Sequence, residues 1–213
     1  MHGPRRTFKR EHPDNRKEAL IRATLTLMGE QGPAGATVRA IADEAGVSQG
    51  MIRHYFSTKD ELVNAAYEAH LADLLAVTEA AADGDGTARE RLVRMVRASL
   101  TPPVFDPLGV SLWAGFIHMV RRHPAMSVTH RQSYLRFRDR LETLIGGALG
   151  EAGRPVDTIE SRRLAIACNA VLDGLWLEGG ALPEAFDPGE LVEIGLSGVG
   201  ALLGLDLAQR AES

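Results

Sequence analysis

The sequence predicts an all-α protein. A three-helix, N-terminal helix-turn-helix domain suited to DNA is followed by a larger helical domain for ligand binding and dimerisation. Three observations predict this. Apolar residues recur at helical spacing along nearly the whole chain, and no segment alternates as a strand would. Gly and Pro fall between those segments, where helices need to stop. Residues 37–59, TVRAIADEAGVSQGMIRHYFSTK, encode two short helices about a tight turn, with polar and basic side chains on the second where a core would exclude them.

The elements follow in order. Residues 1–14 read as a basic flexible arm, with Arg5, Arg6, Lys9 and Arg10 among Gly and Pro. Such an arm suits the minor groove or the DNA backbone, and equally a solvated tail. The head is expected over 15–62. Asn15 with Glu18 has capping-box spacing, and Gly32 is expected to end the first helix. Thr37 caps the second helix, where Val38, Ile41, Ala42 and Ala45 share a face, and Gly46 supplies the turn. Ser48 caps a third helix over Gln49–Tyr55, with Ile52 and Tyr55 or Phe56 facing inward. Thr58 and Glu61 have capping-box spacing and start a fourth, from Lys59 to about Ala82.

The second domain is expected over 63–213. Helices are expected over about 88–100, 107–122, 124–151, 157–179 and 188–208, separated by Pro102-Pro103, Pro124, Gly153–Pro155 and a Gly/Pro connector. The last two are apolar over more than one face, and the final one interleaves Gly195, Gly198, Gly200 and Gly204 with its Leu, Val and Ile. Helices this apolar need cover on both sides. A two-fold dimer through both, as a four-helix bundle, supplies it; a monomeric helix pair is the alternative.

Composition limits the function classes. The single cysteine, Cys168, excludes an intrachain disulfide and fits a reducing cytoplasm. Its apolar helix points to a buried thiol, with redox sensing the alternative. No apolar run approaches the ~20 residues of a membrane span, and the basic N-terminus carries no visible secretory signal. Net charge is −4, but residues 1–60 carry 10 Lys/Arg against 7 Asp/Glu, and residues 61–213 carry 14 against 21. A basic head on an acidic body is expected if only the head meets phosphate. No His pair has metal-ligand spacing, and P-loop, GxGxxG and GxSxG motifs are missing. No metal, no cofactor and no catalysis are therefore expected, and a solvated surface accounts for His118, His123 and His130 beside Arg121 and Arg122.

These residues carry a resemblance. From about Arg16 to Ala69 the chain resembles the N-terminal domain of TetR-family transcriptional repressors, through MGEQGPAGATV, IADEAGVSQG, HYF and the Thr-Lys-Asp-Glu-Leu helix start. HYF, LWAGF at 112–116 and DGLWLE at 173–178 are similar to the BetI-type, choline-sensing branch. Many members carry Tyr where this chain has Arg53, a departure that bears on the operator and leaves the domain intact. The resemblance implies the same dimer of terminal helices, release by choline or a related amine, and DNA contacts at Gln49, Met51, His54, Tyr55 and Lys59.

Side-chain chemistry assigns roles at the head. Thr37 and Lys59, each at a helix N-terminus, suit phosphate, as do Tyr55 and His54. A neutral His54 packed on Phe56 is the alternative. Gln49 suits adenine, and Arg53 or Arg39 suits guanine. Gly50 permits close approach, Met51 suits a thymine methyl, and Ser48 opens the reading helix. In the body, Trp113, Phe116, Ile117, Tyr134, Asp173 and Trp176, with Glu178, form a candidate cage for an organic cation: aromatic faces plus a carboxylate. Core packing is the alternative for each. The expected partners are an operator in double-stranded DNA, a small-molecule effector and a second copy of the chain. A ligand-independent DNA-binding protein or an activator is the competing function.

Overall fold

The computed structural model describes residues 13–208, and among these every regular element is helical. The helices are α1 (Pro13–Gly35), α2 (Val38–Glu44), α3 (Gln49–Tyr55), α4 (Lys59–Ala82), α5 (Ala88–Ser99), α6 (Pro107–Val120), α7 (Pro124–Glu151), α8 (Thr158–Ala181) and α9 (Glu190–Leu203). A single 3-10 turn, Pro183–Ala185, lies between the last two. Of the arm expected over 1–14, residues 1–12 lie outside the described residues, and its last two begin α1.

Side-chain caps account for the starts of α2, α4, α5 and α8. Thr37 Oγ accepts from the Ala40 N–H at 3.1 Å, and Thr58 Oγ from the Glu61 N–H at 3.1 Å. The Glu61 carboxylate returns to the Ser57 N–H at 2.7 Å, one residue earlier than a full capping box. Thr87 and Glu90 complete the reciprocal box on α5. Asp157 caps α8, accepting from the Glu160 N–H at 2.8 Å. Ser48 departs from expectation: it occupies the N-cap position of α3, but its side chain makes no capping hydrogen bond.

Several boundaries differ from the sequence reading. Gly32, at φ +68°, breaks α1, and a further helical turn follows it to Gly35. The helix α9 ends at Leu203, five residues early, because Gly204 takes a left-handed conformation at φ +61°. Arg154 holds that reversal, donating to the Leu203 and Gly204 carbonyls at 2.9 and 3.1 Å. Leu207 then folds back into the core.

Two apolar clusters organise the molecule. The first joins Leu20, Leu27, Met28, Ile41, Ile52, Phe56, Leu62 and Val63 to Leu112, Phe116 and Val120 of α6. The head therefore packs on the body through α1 and α6. The second gathers α5, α7, α8 and α9 around Leu92, Met95, Leu141, Ile145, Cys168, Leu172, Val192 and Val199. Cys168 is fully buried, and burial pushes its thiol up to about 11, which leaves it protonated and unreactive. The glycines of α9 serve contacts inside one subunit. A Cβ on Gly195 would strike Leu100 at the end of α5, and one on Gly200 would sit 2.5 Å from the Leu205 carbonyl oxygen.

Candidate functional site

The reading pair α2–α3 is joined at Gly46, whose φ of +65° sets the turn. Ile52 and Phe56 are buried, so the register of α3 is set by its inner side. That register leaves Gln49, Gly50, Arg53 and His54 exposed, with Met51, Tyr55 and Lys59 half-buried at the edges. His54 lies edge-on to Tyr55, ring centroids 5.1 Å apart; this replaces the alternative of a stack on Phe56, which Lys17 covers from 5.7 Å. Arg39 and Asp43 form an exposed pair on α2 at 3.8 Å. Ser48 and Thr37 are both exposed at their helix mouths. An exposed polar strip thus runs along α3 to the start of α4.

The helix α4 is also one wall of a cavity of about 380 Å³ in the body. Tyr67, His70, Leu71, Leu74, Leu75 and Thr78 of α4 face Trp113 and Ile117 of α6, His130, Tyr134 and Phe137 of α7, and Asn169, Leu172, Asp173 and Trp176 of α8. Trp113, Ile117, Tyr134, Asp173 and Trp176, expected from sequence to converge, do meet there. Phe116 does not. It is fully buried in the first cluster, stacked behind Tyr67 at 4.5 Å, so it supports the wall instead of lining it. Glu178, an exposed residue, is also not part of the lining.

At one end, a hydrogen-bonded set surrounds a single carboxylate. Tyr134 donates its hydroxyl to Asp173 Oδ2 at 2.6 Å, and Asn169 Nδ2 donates to the same oxygen at 2.8 Å and to Tyr134 Oη at 2.5 Å. None of these partners is a cation. Burial raises the Asp173 carboxyl above the usual range, against the two hydrogen bonds and His130, which act to lower it. Tyr134 is pushed up to about 12, chiefly by burial and then by its bond to Asp173. Trp113 and Trp176 stand edge to face, centroids 6.1 Å apart, and Trp176 is anchored by donating to the Val104 carbonyl at 3.1 Å.

His130 was not legible as a site residue and is no surface group. Its Nδ1 lies 2.7 Å from Tyr67 Oη, and its ring stacks on Tyr134 at 5.6 Å. Burial lowers its pKa and pushes Tyr67 up to about 12, so both groups stay neutral and share one proton along this hydrogen bond. Asn169, Tyr67 and His70 were missed as well. The available signal was spacing: Asn169 and Asp173, like His130 and Tyr134, are four apart on one helix face.

Three contacts tie α7 to α4 from the cavity toward the head. They are Tyr67–His130 at 2.7 Å, Thr129 Oγ donating to Asn64 Oδ1 at 3.2 Å, and His123 Nδ1 beside Asp60 Oδ2 at 3.4 Å. Asp60 adjoins Lys59 at the mouth of α4. Among the described residues, no group of three or more His, Cys, Asp or Glu is placed to hold a metal, and no helix is long and apolar enough to cross a membrane.

Known proteins share this arrangement. A family model described as bacterial regulatory proteins, tetR family, matches residues 20–66, and one described as BetI-type transcriptional repressor, C-terminal, matches residues 88–204. The chain is 31% identical over 173 residues to the HTH-type transcriptional regulator BetI of Stenotrophomonas maltophilia (strain R551-3), covering 81% of this chain and 85% of that one. A crystal structure of a transcriptional regulator from Pseudomonas aeruginosa PAO1 superposes with a TM-score of 0.83 at 36% identity, covering 93% of this chain and 95% of that one. A Saccharomonospora viridis regulator solved in complex with choline shares the fold, with a TM-score of 0.71 at 20% identity, covering 92% of this chain and all (100%) of that one. With both halves matched in their expected order, this chain belongs to the TetR family of bacterial transcriptional regulators, in its BetI-type branch.

Proposed function

We propose that this TetR-family regulator is a homodimeric repressor that an organic cation releases from a palindromic operator. The observation that carries the reading is the double use of α4: its first residue adjoins the reading helix, and its middle turns wall a cavity holding one carboxylate without a cationic partner. The head, taken as 15–62 after its basic arm, reads DNA, and the rest senses and dimerises. Thr37, His54, Tyr55 and Lys59 position the head on phosphates. Gln49, Gly50, Met51 and Arg53, with Ser48 opening the helix and Arg39 beside it, face the base edges. The exposure of Thr37, Arg39, Gln49, Arg53 and His54, with Met51, Tyr55 and Lys59 at the edges of the same strip, supports that division.

An effector held by Asp173, Trp113 and Trp176 presses on the α4 wall. The three α4–α7 contacts pass the displacement to Asp60 and Lys59 and change the separation of the paired heads. Half-sites about 34–36 Å apart then no longer match both heads. Ligand shifts the population only by its differential affinity for the released form.

Selection of bound sequences from random duplex DNA tests the reading. Enrichment of a palindrome, lost on adding quaternary ammonium compounds, is expected; enrichment of a single half-site, unaffected by any cation, would refute it. Arg53→Ala is expected to weaken operator binding by ~1–3 kcal/mol per half-site in a fluorescence anisotropy titration, leaving dimerisation unchanged. An unaltered affinity would take Arg53 off the base edges. With Lys59 as the phosphate-binding cation of each subunit, two per dimer, affinity should fall at least about tenfold between 50 and 200 mM salt. A flat salt profile contradicts the phosphate contacts.

A further inference from the structure

Resting on the organic-cation reading, we propose that the effector is a cationic amphiphile: one positive head and an apolar tail of several carbons laid along α4. The lining of the cavity on α4 runs from Tyr67 to Thr78, which spans ~16 Å at ~1.5 Å per residue. A compact ammonium head does not fill such a length.

The two ends differ in chemistry. The α4–α7 pairs, Tyr67 with His130 and, further along, Glu79 with Arg136, show that the two helices run in the same direction. Asp173, Asn169 and Tyr134 hydrogen-bond to one another, and His130 stacks on Tyr134, so the polar set gathers near the Tyr67 end. Toward Thr78 the walls are Leu74, Leu75 and Phe137. The only hydroxyls there are already committed. Thr78 Oγ donates to the Leu74 and Leu75 carbonyls at 3.2 and 3.0 Å, and Ser99 Oγ to the Met95 carbonyl at 2.8 Å. Among the described residues that line that end there is no ionisable side chain and no uncommitted donor, so hydrocarbon is what it accommodates. The volume of about 380 Å³ falls within the ~300–1,000 Å³ of sites for drug-sized molecules. A head at Asp173 leaves the Leu75–Phe137 side for the tail.

The test is a titration of the full-length protein, followed by calorimetry and by release of a labelled operator duplex. The probes are tetramethylammonium and n-alkyltrimethylammonium salts from butyl to decyl, each below its micelle concentration. The n-alkanols of equal chain length serve as neutral probes. Affinity is expected to rise about fourfold per methylene, the ~0.8 kcal/mol of each buried CH₂, and then to level off. Alkanols are expected to bind at least tenfold more weakly at equal length. Leu75→Phe, which narrows the tail end, is expected to move the levelling-off to shorter chains. Equal affinity from tetramethylammonium to octyltrimethylammonium overturns the proposal and leaves the cation reading standing. Alkanols binding as tightly as the cations overturn both. A levelling-off length unchanged in a folded Leu75→Phe protein places the tail elsewhere and also overturns the proposal.

Discussion

Asp173→Asn is expected to lower the affinity for quaternary ammonium ligands by about 10–100-fold while raising the melting temperature of the free protein. The first effect follows from charge. Asp173 is the one carboxylate of the cavity lining, its hydrogen-bond partners are the neutral Tyr134 and Asn169, and interactions with a charged group are worth ~1.5–3 kcal/mol. The second follows from linkage. Burial raises the Asp173 carboxyl above its unfolded value. Between the two values the native state holds more protons than the unfolded state, so this group's contribution to stability declines as pH rises through that window. Asparagine accepts the same two hydrogen bonds without the partly desolvated charge. Cation affinity of the parent protein should therefore rise with pH through the same window, and that of the variant should not. Calorimetry across pH, with thermal melts of both proteins, checks the pair of effects. A variant that binds cations as well as the parent would remove Asp173 from the site.

Ile166→Asp is expected to yield a monomer whose operator affinity is lower by ~10²–10⁴-fold, the loss on converting two linked half-site contacts into one. Ile159 and Ile166 on α8 are 64% and 38% exposed, and Ile194 and Leu202 on α9 are 41% and 43% exposed. At 3.6 residues per turn Ile159, Ile166 and the exposed Ala170 fall on one line, with the exposed Arg163 between the first two. An apolar face of this kind on two neighbouring helices is what a partner subunit covers. A charge at its centre puts a carboxylate that loses its hydration into the interface and leaves the monomer core intact. Sedimentation gives the mass, circular dichroism checks the helices, and operator titration gives the loss. A persistent dimer with full DNA affinity would move the interface away from α8.

Local chemistry made the reading head legible. Thr37 and Thr58 are caps, Pro and Gly are stops, and a seven-residue helix with one buried apolar side chain shows its polar face in the residue order itself. The cavity was only partly legible. Periodicity states that Trp113, Phe116 and Ile117 face inward, but not whether the inward side is filled. Phe116 turned to the head and packed behind Tyr67, whereas Trp113 and Ile117 stayed on the open side.

By itself, the sequence determined the helical class, most helix starts, the polar strip on α3 and the charge split between head and body, because all of these follow from neighbours within a few residues. It also determined the family, through motifs at fixed distances. The tertiary structure alone decided which inward-facing residues line a space and which fill one. It brought His130 to Tyr67 across 63 positions and Asn169 to Tyr134 across 35. It also turned the glycines of α9 toward contacts within the subunit. Contacts between distant segments depend on how whole helices pack, and one helix's periodicity carries no record of the helix it will meet.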